Sequence, residues 1–165
     1  MLQAQNPHQP LEADIVAAVE KLRGQTVEWL SQLIEEPSLL GEEASSQAWV
    51  ARLFTELGVE VDNLVIDEAA IKQHPGYSPS LVSYDGRVNV IGRHRPANPR
   101  GRSLIFNGHI DVVPVGDASL WTRPPFEAWV DGDRLYGRGG ADMKSGIIAY
   151  LIAFKALQDL GYAPA

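Results

Sequence analysis

The chain has 165 residues, of which 45% are hydrophobic, and carries a formal charge of −7 with a pI near 5.0. That length supports one domain with its own core, and the acidic balance speaks against general binding to nucleic acid or an anionic membrane. Cysteine is absent, which excludes disulfides and thiolate metal sites together and leaves imidazole and carboxylate as the available metal ligands.

The first ten residues, MLQAQNPHQP, have neither a basic nor an apolar segment and do not read as a signal peptide. From Leu11 to Glu36, apolar residues recur at helical spacing: Leu11, Ile15, Val19 and Leu22, then Trp29, Leu30, Leu33 and Ile34. Gly24 is placed to bend or divide that helix, and Pro37 ends it, since a residue before proline is driven out of the helical region. Ser45 is a candidate cap for a second helix with Trp49, Val50, Leu53, Phe54 and Leu57 on its inner face and Gly58 as its stop.

VEVDNLVI (59–66) alternates like a strand, RVNVIG (87–92) is a second strand, and the arginines at 87, 93, 95, 100 and 102 read as a solvated loop region without aromatics for base stacking. SLIFNG (103–108) is apolar without alternation, as expected of a strand covered on both faces. WVDGDRLYG (129–137) predicts a hairpin turning at Asp131-Gly132, and one long helix is expected from Met143 to Leu160, stopped by Gly161. Its apolar run, Ile147 to Phe154, is too short to span a bilayer, and a soluble cytoplasmic α/β protein of one unit is expected.

Two segments carry chemistry. In LIFNGHIDVVPVG (104–116), His109 and Asp111 sit two apart, so on a strand they share a face. The carboxylate can then hold one ring nitrogen and leave the other free as a metal donor, the arrangement that orients metal-bound histidines. A satisfied histidine at a strand end is the alternative. Gly108 leaves room for an approach to the backbone. In LYGRGGADMKSG (135–146), glycines 137, 139 and 140 open backbone angles barred to other residues and deliver Asp142 to the start of the long helix. There Asp142 is either a helix N-cap or a cation site. A dinucleotide fingerprint fails, because a carboxylate stands where glycine or alanine is needed and would repel a pyrophosphate.

Together, GHIDVVPVGD, Trp121, PPF at 124–126 and GDRLYGRGGADMKSG resemble the zinc-dependent family of acetylornithine deacetylase, succinyl-diaminopimelate desuccinylase, aminoacylase and the carboxypeptidase G type of exopeptidase. The resemblance starts near LIEEPSLLGEE (33–43) and implies the N-terminal part of a three-layer α/β/α catalytic domain with a mixed sheet. It makes His109 a ligand to one zinc and Asp142 a bridge between two, with Asp111 clamping the imidazole and a cis peptide at Asp142-Met143. The cofactors implied are two divalent ions, zinc first, with cobalt or manganese accepted by the same ligands. They activate a water that attacks the amide of an N-acyl amino acid or small peptide. A homodimeric whole protein is implied as well.

The family's Glu-Glu pair, which holds the catalytic base, has no counterpart: Glu35-Glu36 and Glu42-Glu43 lie upstream of His109 and read as solvated acids. His8, His74 and His94 fall in a tail and two loops, so the later histidine ligand is also missing. Residues 1–165 are therefore read as a truncated catalytic portion without the lid and dimerisation domain or the C-terminal half. Weak metal binding and no turnover are expected of it. Incomplete sheet cover should leave Ile147, Ile148, Leu151 and Phe154 of the last helix partly exposed. The rival readings are a non-catalytic binding or scaffold domain and, more remotely, a nucleotide module built on GRGG.

Overall fold

The structure, a computed structural model, describes residues 12–96, 99 and 101–162. Leu11, His8 and Arg100 lie outside the described residues.

The amphipathic N-terminal stretch is two helices, α1 (Glu12–Lys21) and α2 (Arg23–Glu35). They divide at Leu22 rather than Gly24, where the Leu22 N–H donates back to the Val19 carbonyl in a tight turn. Glu36 leaves the helical region (φ −89°, ψ 102°), as a residue before proline does. The next helix, α3 (Ala44–Glu56), starts one residue before Ser45 and has no side-chain cap. Glu43, at the capping position, is drawn away: its carboxylate accepts from the Gly41 N–H and from Nε and Nη2 of Arg87. Glu43 is thus a buried ion-pair partner and not a solvated acid.

Strands β1 (Glu60–Val65) and β2 (Val88–Arg93) pair antiparallel, in register from Glu60–Arg93 to Val65–Val88, and pack on α3. A short helix, α4 (Glu68–Ile71), capped by Asp67, lies in the connection. The arginine-rich stretch is largely paired with acids: Arg87 with Glu43, Arg93 with Asp62 and Arg95 with Glu60. Strands β3 (Trp129–Asp131) and β4 (Arg134–Tyr136) form the expected hairpin, with Trp129 stacked on Tyr136.

The run SLIFNG does not form the covered strand expected of it. Among the described residues it joins no ladder, and Leu104, Ile105 and Phe106 are 75%, 86% and 58% exposed. The described sheets are the pairs β1–β2 and β3–β4, and residues 103–108 add to neither. Among the described residues, the H-x-D segment makes a single parallel bridge, between Leu39 and Val112.

The last helix, α5 (Ser145–Asp159), is the centre of the core. Ile147, Ile148 and Leu151 are buried, contrary to the expectation of an uncovered helix, because α1 and α2 cover it. They join Trp29 and Leu33 of α2, the α3 face from Trp49 to Leu57, and Ile110 in one cluster. Burying a leucine side chain of this kind contributes about 1.5–3 kcal/mol. Exposed apolar side chains lie elsewhere, Leu104, Ile105 and Phe106 among them.

Candidate metal centre

Residues 137–144 are shaped by what they pass. Gly139 has φ +80°, and a side chain there would run into Val112, so the loop lies directly against the H-x-D segment. A wide turn, Gly140–Lys144, follows and contains a cis peptide at Asp142-Met143, as the resemblance implies. Asp142 is not a helix N-cap: its backbone is non-helical (φ −130°, ψ 98°), and α5 begins at Ser145 without a side-chain cap. At Gly108 the close approach comes from within, since an added Cβ would lie 3.0 Å from Ile147 Cγ1 and 3.2 Å from Met143 Cε.

These shapes bring the two segments together. His109 Nε2 lies 3.0 Å from Asp142 Oδ1. His109 Nδ1 lies 3.0 Å from the Asp111 carbonyl oxygen and 3.4 Å from its carboxylate. The nearer partner of the inner nitrogen is thus the main chain of Asp111, with its side chain second. Burial draws the His109 pKa down, but acceptors on both sides, Asp111 and Asp142, outweigh it and hold it above the ordinary value. The imidazole is about half exposed and the Asp142 carboxylate 89% exposed, so the face they share is open.

The donor set suits a divalent cation. Two ligands at bond lengths of about 2.0–2.2 Å in a tetrahedral shell stand about 3.3–3.6 Å apart, so the pair, now 3.0 Å apart, would open by a few tenths of an ångström to share an ion. With an Nδ1–H donated to the Asp111 carbonyl, a cation seated between Nε2 and Asp142 Oδ1 would take the place of the proton that bridges them here. No group of three or more His, Cys, Asp or Glu side chains that could hold a metal occurs among the described residues.

Two residues of the site carry no obvious signal in the sequence. Lys144 and Ser38 are both 0% exposed. Lys144 Nζ donates to the carbonyls of Leu33 (2.7 Å) and Glu36 (2.8 Å), at the end of α2. Burial pushes its pKa down to about 8, with the Glu36 charge opposing. Ser38 Oγ donates to the Ile110 carbonyl. A lysine in a G-R-G-x-x-D-M-K segment and a serine after a proline look like surface residues, and only the packing buries them.

Comparison with known proteins bears on the class. The profile of Peptidase family M20/M25/M40 matches residues 105–165, the portion that holds both segments. The chain is 35% identical over 127 residues to a succinyl-diaminopimelate desuccinylase of Methylorubrum populi, a match covering 77% of this chain and 29% of the relative. It is 37% identical over 123 residues to the desuccinylase of Cereibacter sphaeroides, covering 74% and 27%. The chain therefore spans well under a third of the curated relatives it matches. Its fold is similar to that of human carnosine dipeptidase 1, with TM-score 0.72 at 19% identity over 95% of this chain and 33% of that one. Fold and matched segments define an α/β unit similar to a part of these proteins. Over residues 105–165 the chain matches the M20 peptidase family, and its similarity to the two desuccinylases extends over about three quarters of its length.

Proposed function

We propose that residues 1–165 form the N-terminal portion of the catalytic domain of a cytoplasmic dinuclear amidohydrolase. In this reading His109 is a ligand to one divalent ion and Asp142 bridges two, most naturally zinc. Asp111 holds the imidazole in place. The substrate is an N-acyl amino acid or small peptide, of the kind named in the desuccinylase relatives, and the whole protein is a homodimer. When bound, such ions lower the pKa of water and polarise an amide carbonyl. What this chain contributes is the geometry: the Asp111 carbonyl fixes the tautomer of His109, and Asp142 offers an open carboxylate opposite Nε2. The observation that carries the reading is the 3.0 Å approach of His109 Nε2 to Asp142 Oδ1 across the two motifs.

Two ligands shared between two ions are fewer than the three protein ligands a catalytic zinc usually has. Residues 1–165 alone should bind zinc weakly and turn over no substrate, the base and the further ligands lying elsewhere in the whole protein. The test is metal content and hydrolysis of N-succinyl and N-acetyl amino acids. The full chain is expected to lose both with His109→Gln. Chelator-insensitive hydrolysis, or zinc uptake indifferent to His109 and Asp142, would overturn the metal reading. Turnover by residues 1–165 alone would overturn the partial one, and metal uptake without hydrolysis by the full chain would favour a binding domain.

A further inference from the structure

Both donor segments are fastened to the same few residues at the end of α2. On one side, Ser38 holds the H-x-D segment on either flank of Asp111. Its hydroxyl donates 2.7 Å to the Ile110 carbonyl, and its own carbonyl accepts from the Val112 N–H at 2.8 Å. On the other side, Lys144 stands two residues past Asp142. Its backbone N–H closes the turn onto the Gly139 carbonyl at 3.0 Å, and its ammonium reaches Leu33 and Glu36. Leu33 to Ser38 thus carries every one of these long-range anchors.

The chain between His109 and Asp142 is too long to set a 3.0 Å spacing by itself, since it runs through the β3–β4 hairpin. The spacing is inherited from the common anchor. Ser38 and Lys144 are fully buried, so water does not compete for their hydrogen bonds, and such bonds are stiffer in a low-dielectric interior. Direct contact of Gly139 with Val112 closes the third side of the frame.

We infer that Ser38 and Lys144 are positioning residues that set the His109–Asp142 separation by docking both segments on the end of α2 and the short stretch that follows it. This rests on the reading of that pair as cation donors.

The experiment uses the metal-free full chain and its Ser38→Ala and Lys144→Met variants, with Val50→Ala as a core variant remote from the site. Zinc affinity by calorimetry, thermal melts and 15N-histidine NMR of His109 are recorded well below each melting temperature. Ser38→Ala and Lys144→Met are expected to weaken zinc binding 10–100-fold, the range for residues that orient ligands, and to move the His109 nitrogen signals. Val50→Ala should lower the melt and leave both unchanged. Lower melts with zinc affinity and His109 signals at their original values would overturn the inference. If Lys144→Met does not fold, Ser38→Ala decides by the same two readouts. Should the unaltered chain take up no zinc, the functional reading fails, while the His109 signals still decide the positioning role.

Discussion

His109 Nε2 and Asp142 Oδ1 stand 3.0 Å apart although 33 residues separate them in the chain. On the other side of the ring, Nδ1 is 3.0 Å from the Asp111 main-chain oxygen and 3.4 Å from its carboxylate. These two distances rank the partners.

From that ranking, Asp111→Asn is the mild substitution at this site. The carbonyl that holds Nδ1 survives it, so the loss in zinc affinity should lie near 10-fold, the low end for a residue supporting a ligand. Isothermal titration of the full chain measures it. A loss as large as that of His109→Gln would show that the carboxylate, and not the main chain, does the holding.

Gly139 is expected to resist replacement. Its φ of +80° and its contact with Val112 act together. Left-handed backbone costs about 1–2 kcal/mol, and overpacking adds about 1–3 kcal/mol. Gly58 has a similar φ of +72° with open space around it, so Gly58→Ala should cost only the backbone part. Urea unfolding of the two alanine variants gives the comparison. Equal losses would mean that the Val112 contact yields without cost.

The Glu43–Arg87 pair predicts an acid-side dependence of stability. Burial raises the Glu43 pKa, but hydrogen bonds from the Gly41 N–H and Arg87 and the guanidinium charge bring it below its ordinary value. A lowered folded pKa means the unfolded chain takes up the proton first. The contribution is therefore complete above about pH 4.5 and is lost as pH falls through the lowered value. Glu43→Gln should flatten this part of the stability curve. Arg87→Ala should cost about 3 kcal/mol at neutral pH, because it strands a carboxylate that is only 8% exposed.

Ile105 is 86% exposed within an unpaired apolar run. Ile105→Lys should change the folding free energy of residues 1–165 by no more than about 0.5 kcal/mol, as at an ordinary surface position. It should also reduce self-association in light scattering, by breaking an exposed apolar patch. A loss of several kcal/mol would show that Ile105 is buried in solution.

Much of this molecule is local in origin. The periodicity of Trp29, Leu30, Leu33 and Ile34, the inner face of α3, the hairpin at 129–136 and the stop at Gly161 all depend on residues within a few positions of one another, and they read directly from the sequence. His109 and Asp142 stand out in the sequence through their two motifs, and the fold brings the two side chains together. Tertiary structure alone decided which atom of Asp111 lies nearest the imidazole, that Glu43 is buried against Arg87, that Ser38 and Lys144 tie both segments to α2, and that Leu104 to Phe106 lie uncovered. Each of those depends on partners tens of residues away. Hydrophobic pattern places a side chain on a face of its own element, but it carries no information about which distant backbone carbonyl will meet that face once the elements pack.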